Sequence, residues 1–257
     1  VTGLLYALPF TQGDSTITLL PPVESRSYIQ LTLSALQAFG VEANWINETT
    51  LFVKKESYHA TEITVEGDYS NAAFLDAFNY LGSNVSVTGL NPQSLQGDRV
   101  YQQGFAELKK GNATISLVDC PDLGPIYMAM AAALHGATFT DTARLKIKES
   151  DRGMAMATEL AKFGVKTDVL ENTITVHPST LSTPNEPLSG HNDHRIVMAL
   201  ATICTITGGT IENAQAVADF KGGKVKALQA LFGACMKELR GAGDPAVIKE
   251  TLENKLK

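Results

Sequence analysis

The sequence predicts an α+β fold of repeated β/α units, with mixed sheets packed over buried helices. Two observations carry this. An amphipathic helix followed by a strand pair occurs twice, and a nearly all-apolar helix followed by a short strand occurs four times.

The first repeat aligns SRSYIQLTLSALQAFGVEANWINETTLFV (25–53) with ESDRGMAMATELAKFGVKTDVLENTITV (149–176). Ile29, Leu33, Leu36 and Phe39 recur at helical spacing in one copy, and Met156, Leu160 and Phe163 in the other. Gly40 and Gly164 follow directly, where a left-handed residue ends a helix. Glu48-Thr49 and Glu171-Asn172 read as turns between alternating strands. The apolar helix-strand pieces span residues 3–20, 71–88, 124–140 and 194–212. A helix apolar all round must be buried on every side. Between these copies, residues 61–65, 85–88 and 114–118 read as strands, and 99–110 as a surface helix. The unit is buried helix, strand, surface helix and two strands, repeated about two and a half times.

Apolar residues make up 44% of the 257 positions and charged residues 19%, enough to bury a sizeable core. The net charge of −6 argues against a general nucleic-acid binder. The charge is uneven, however. Residues 219–257 hold eight basic side chains against five acidic ones, a net +3, which leaves −9 on residues 1–218. Cys120, Cys204 and Cys235 are sparse and unpaired in sequence, which suits reduced thiols and a cytoplasmic setting. No Cys/His grouping has metal-ligand spacing, so no metal site is read. The longest apolar runs, near 125–134 and 196–206, fall short of the about 20 residues a bilayer span needs. Residues 1–11 lack a basic signal-peptide region, and Val1 opens inside an apolar helical pattern, as the interior of a longer sequence would.

Three polar clusters stand at helix starts: residues 119–122, 148–152 and 191–195. Free N–H groups and the helix dipole favour anions there, and Lys148, Arg152 and Arg195 add charge-assisted donors. Asp122, Glu149 and His194 are acid/base types beside those cations. Such convergence suits chemistry on a phosphorylated or carboxylated small molecule. Each residue also has a purely structural reading. Asp122 can cap the helix after Gly124, and Glu149 and Asp151 can complement a dipole. Lys148 and Arg152 can form an exposed i,i+4 pair, and His194 can be a packing residue. His59, His135 and His177 read as surface or packing residues, and Trp45 and Tyr58 are isolated.

LKIKESDR (145–152), NDHRIVMALA (192–201), CPDLGPIYMAMAAA (120–133) and VEGDYSNAAF (65–74) together resemble the 5-enolpyruvylshikimate-3-phosphate synthase family. ESRSYIQLTL (24–33) is similar to that family's Ser-x-Pro-Tyr segment, with Ser27 in place of proline. The resemblance covers residues 1–218 and implies a two-lobed enolpyruvyl transferase-like fold. Residues 1–65 would be the remnant of a substrate-binding lobe and 66–218 most of the other lobe. It implies transfer of an enolpyruvyl group from phosphoenolpyruvate to shikimate-3-phosphate, without metal or organic cofactor, in the shikimate pathway of aromatic amino-acid and chorismate biosynthesis.

By the same resemblance, Asp122 would bind and help deprotonate the acceptor hydroxyl, and Lys148 would sit between the two substrates. Glu149 would protonate the enol methylene, with His194 nearby. Arg152 and Arg195 would hold phosphoenolpyruvate, and Ser25 and Tyr28 would contact shikimate-3-phosphate. The family's Pro-Gly-Ser-Lys-Ser segment is absent, and Ala218-Asp219-Phe220 stands where the family has Lys-Ser-aromatic-Pro. The chain by itself is therefore expected to be weakly active or inactive.

Residues 219–257 resemble a different family, the tail domain of the tRNA-dependent amidotransferase B subunit. The cues are Lys221-Gly222-Gly223-Lys224, Met236-Lys237, and Asp244-Pro245 at a helix start. The expectation is a helical tail of different origin: a solvated basic helix pair, or a phosphate-facing patch for tRNA. An alternative function for the chain is thus a non-catalytic tRNA- or protein-binding module acting through that tail.

Overall fold

The computed structural model describes residues 1–212; the tail at 219–257 lies outside the described residues. Two apolar clusters organise what is described.

The smaller cluster joins Leu5, Ile29, Leu33, Leu36, Val41, Leu51 and Val53. Helix α1 (Thr2–Ala7) and helix α2 (Arg26–Ala38) pack beside a three-stranded antiparallel sheet. Its strands are β1 (Ser15–Thr18), β2 (Ala43–Trp45) and β3 (Thr50–Val53), with β3 central. Register places Thr16 and Asn44 on either side of Phe52, so Leu51 and Val53 face the helices together.

The larger cluster surrounds helix α5 (Gly124–Ala133), of which residues 124–132 are all buried. Around it stand α3 (Tyr69–Tyr80), α4 (Tyr101–Lys110), α6 (Arg152–Lys162) and α7 (His194–Thr207). A four-stranded mixed sheet covers this assembly. Its order is β4 (Ala113–Ser116), β5 (Ala137–Thr140), β7 (Thr173–Val176), β6 (Thr167–Val169). β4 and β5 run parallel, as a crossover through α5 requires, and the other pairings are antiparallel. A short parallel pair, β8 (Leu188–Ser189) and β9 (Ile211–Glu212), flanks α7.

The repeat expected from sequence is present. Helices α2 and α6 each end in a glycine of positive φ, Gly40 at 82° and Gly164 at 85°. In both, the next residue closes the turn: Val41 N–H donates to Leu36 and Val165 N–H to Leu160. Each copy then forms an antiparallel strand pair, β2–β3 and β6–β7.

Two expectations fail. Residues 61–65 and 85–88 alternate like strands, yet neither pairs in a ladder; a backbone bond joins the chain just beyond each, Gly67 N–H to Gly89 O at 3.0 Å. A strand needs a hydrogen-bonded neighbour and a covered face, and residues 61–65 are exposed throughout. The apolar piece at 3–20 is not buried on every side either. Leu5 is buried, while Leu4, Tyr6 and Phe10 are exposed, because α2 covers one side of α1. Among the described residues no helix is long and apolar enough to cross a membrane.

Candidate active site

The three polar clusters converge where α6 and α7 begin and where a 3₁₀ turn (Pro121–Leu123) leads into α5. At the centre lies Arg152, 1% exposed in the first turn of α6. Its Nε donates to Asp193 Oδ2 at 2.8 Å, Nη1 to Asp122 Oδ1 at 2.7 Å and Nη2 to Glu149 Oε2 at 2.6 Å. Three carboxylates thus hold three edges of one planar fork, which a lysine could not match.

Asp122 is the second hub. Besides Arg152 it meets Lys148 Nζ at 3.1 Å and Arg195 Nη2 at 3.4 Å. Burial works to raise its carboxyl, but Arg195, Lys148 and Arg152 outweigh that and hold it below the usual carboxylate range. Asp193 behaves alike: burial raises it, and Arg152 with the Arg195 N–H and Ser150 outweighs burial. Asp193 also caps α7 by accepting the Arg195 N–H at 3.0 Å. Arg195 donates as well to the Ser70 hydroxyl at the start of α3.

The purely structural readings divide. Asp122 does not cap α5, since its oxygens go to the cations. Lys148 and Arg152 are not an exposed pair, because each is turned onto carboxylates. Asp151 does cap α6, accepting the Met154 N–H at 3.1 Å. Glu149 is about half exposed and, among the described residues, reaches Arg152 alone. His194 is exposed, with no side-chain hydrogen bond or ion pair among the described residues. Ser25 and Tyr28 approach from the other cluster. Ser25, at a left-handed φ of 53°, accepts from the Arg144 guanidinium, and Tyr28 donates to Asp98 Oδ2 at 2.9 Å.

The turn into α7 is held from below. His191 and Asn192 are consecutive left-handed residues, at φ 49° and 55°. Glu159, 1% exposed and two turns along α6 from Arg152, accepts from His191 Nε2 and the Ser189 N–H, each at 2.9 Å, and pairs with Lys162 at 2.9 Å. Helix α6 thus grips this turn at both ends, through Arg152 on Asp193 and Glu159 on His191.

Asp98, Ser70 and Glu159 were not legible as site residues. Asp98 reads as an ordinary acid at a helix start, and burial of such a group has no local signal. Cys120 lies buried beside the site, its thiol pushed up to about 12 by burial and by Asp98, Asp119 and Asp122, so it is no thiolate nucleophile. Among the described residues no group of His, Cys, Asp and Glu is arranged to hold a metal ion.

Lys148, Arg152 and Arg195 balance Asp122, Glu149 and Asp193. Such a site can accept an anion once a carboxylate is protonated or exchanged, and can move protons at Glu149 and Asp122.

Comparison with known proteins places the chain in a family. The chain is similar to the 3-phosphoshikimate 1-carboxyvinyltransferases of Clostridium kluyveri (35% identical over 226 residues, 79% of this chain and 52% of that protein) and Clostridium novyi (37% over 219 residues, 78% and 50%). It spans about half the length of these relatives. The fold is similar to that of the Acinetobacter baumannii EPSP synthase, at 20% identity and a TM-score of 0.66, covering 89% of this chain and 59% of that one. Residues 203–256 match the GatB domain, in keeping with the second resemblance seen at the tail. Residues 1–219 match the family model of EPSP synthase (3-phosphoshikimate 1-carboxyvinyltransferase), and the chain belongs to that family.

Proposed function

We propose that this chain carries one side of an enolpyruvyl-transfer site acting on phosphoenolpyruvate and shikimate-3-phosphate. The observation that supports it best is the convergence of Lys148, Arg152 and Arg195 on Asp122 at the starts of helices far apart in sequence. Transfer joins an acceptor hydroxyl to the enol carbon while the methylene gains a proton and becomes a methyl group; phosphate then leaves the former enol carbon as that methyl group loses a proton, restoring the double bond. The intermediate bears carboxylate and phosphate together and needs cations already in place.

In this reading Asp122, kept ionised by its cations, takes the hydroxyl proton, and Lys148 sits between the substrates. Glu149, half exposed at the rim, gives the methylene proton, with the exposed His194 close in sequence to Arg195. Arg195 and Arg152 hold the anionic groups. Arg152 already satisfies three carboxylates, so Arg195 carries more of the substrate binding and Arg152 organises the acids. Ser25 and Tyr28 face the acceptor. Residues 1–65 and 66–218 then belong to different lobes, in line with the two apolar clusters, with 219–257 an added tail and the protein cytoplasmic.

Calorimetric titration of shikimate-3-phosphate and phosphoenolpyruvate into the 257-residue chain tests this. Binding is expected in the millimolar range or tighter, weakened at least tenfold (about 1.4 kcal/mol) by Arg195→Ala. Phosphate release is expected to be slow or absent. Absence of binding by the unaltered chain would overturn the reading.

A further inference from the structure

Tyr28 and Asp98 meet across the boundary between the two apolar clusters. Tyr28 lies in the first turn of α2, and Asp98 in the 3₁₀ turn (Gly97–Val100) that enters α4. Two bonds donated by the α2 start bring them together. The Ser25 N–H donates to Val118 O at 3.3 Å, and the Arg26 N–H to Asp119 Oδ1 at 3.0 Å. Gly97 makes the close approach possible: a Cβ there would lie 2.5 Å from Ser27 Oγ and from the Asp119 carbonyl oxygen.

These bonds pin the backbone of the α2 start but do not themselves hold the Tyr28 hydroxyl. Among the described residues the ring's hydroxyl has one partner, Asp98 Oδ2, at 2.9 Å. Asp98 is 3% exposed, and its Oδ1 is buried with no hydrogen-bond partner. A buried, half-satisfied carboxylate is a burden on stability. Among the described residues Tyr28 is the one group it hydrogen-bonds, and Asp122 and Arg195 are near enough to bias it electrostatically. The pair therefore borders the charged site.

We propose that Asp98 is a positioning residue for the enolpyruvyl-transfer site, fixing the Tyr28 hydroxyl at the acceptor side from across the cluster boundary. This deepens, and rests on, the function proposed above. Asp98 touches no substrate itself; it acts through Tyr28.

The test uses the full 257-residue chain with two readouts. In calorimetric titration with shikimate-3-phosphate, Asp98→Ala and Tyr28→Phe are each expected to weaken binding at least tenfold. The double variant should be within twofold of either single one, because both remove one interaction. Asp98→Asn, which keeps an oxygen acceptor, should bind within threefold of the unaltered chain. Asp98→Ala binding like the unaltered chain, or losses that multiply in the double variant, would overturn the proposal. The second readout is the ¹⁹F resonance of 3-fluorotyrosine at position 28, assigned by its loss in Tyr28→Phe. It should shift in Asp98→Ala and return in Asp98→Asn; an unmoved resonance also sinks the proposal. If the unaltered chain binds no shikimate-3-phosphate, the functional reading fails, while the resonance still decides whether Asp98 places Tyr28.

Discussion

Arg152 shows how much a single side chain can organise. Its residue type and helix-start position were legible as an anion-binding feature, whereas its three carboxylate partners lie at positions 122, 149 and 193. Only Glu149 is a local neighbour, so sequence spacing could suggest one bond of three. Removing the guanidinium leaves Asp193, whose side chain is 0% exposed, without its buried countercharge. Arg152→Ala is therefore expected to cost about 3–5 kcal/mol, as for other broken buried pairs. Arg152→Lys keeps the charge but serves one or two of the acids, and is expected to cost less. Urea unfolding midpoints of the two variants check this, and equal losses would show that fork geometry matters and charge alone does not.

Among elements, the helix-glycine-hairpin repeat was the most legible because its signals are local: apolar spacing, a left-handed stop and alternation after it. The two stops nonetheless sit in different surroundings. At Gly164 a Cβ would meet nothing closer than Ser182 Oγ at 3.5 Å, while at Gly40 it would lie 2.5 Å from His59 Cδ2. Gly164→Ala is expected to cost about 1–2 kcal/mol, the left-handed penalty alone. Gly40→Ala should cost more, because His59 must also move; thermal unfolding of both variants measures the difference. The strands expected at 61–65 and 85–88 show the opposite case. Alternation marks a chain able to pair, but a ladder requires a neighbour that local sequence does not supply.

At the scale of the whole molecule, buried acids make opposing contributions to stability against pH. Asp122, Asp193 and Glu159 have lowered values, because their cations and donors outweigh burial. Their stabilisation is present above about pH 4, the unfolded carboxylate range, and is lost as pH falls through their folded values. Asp98 runs the other way. Burial, with Asp122 and Asp68 adding to it against Tyr28 and Arg195, pushes it up to about 6. Its contribution is full below about pH 4 and is lost as pH rises through 6. The stability advantage of Asp98→Asn over the unaltered chain should thus grow by about 2 kcal/mol between pH 4 and 7. Unfolding free energies across that range test the sign, and parallel curves would show that Asp98 is ionised at no cost.

By itself the sequence determined the local elements, the two-copy repeat, the helix-start clusters and the motifs that carry the family resemblance. These all follow from short-range rules: which face is apolar, where a glycine must turn, which side chains stand at a dipole. The tertiary structure alone decided that Arg152 is saturated by carboxylates, that Glu159 grips the α7 turn, and that Asp98 reaches Tyr28 across two clusters. Partners this far apart in sequence are selected by packing, and the energy of a charged or polar group depends on burial and partner together, neither of which is a local property.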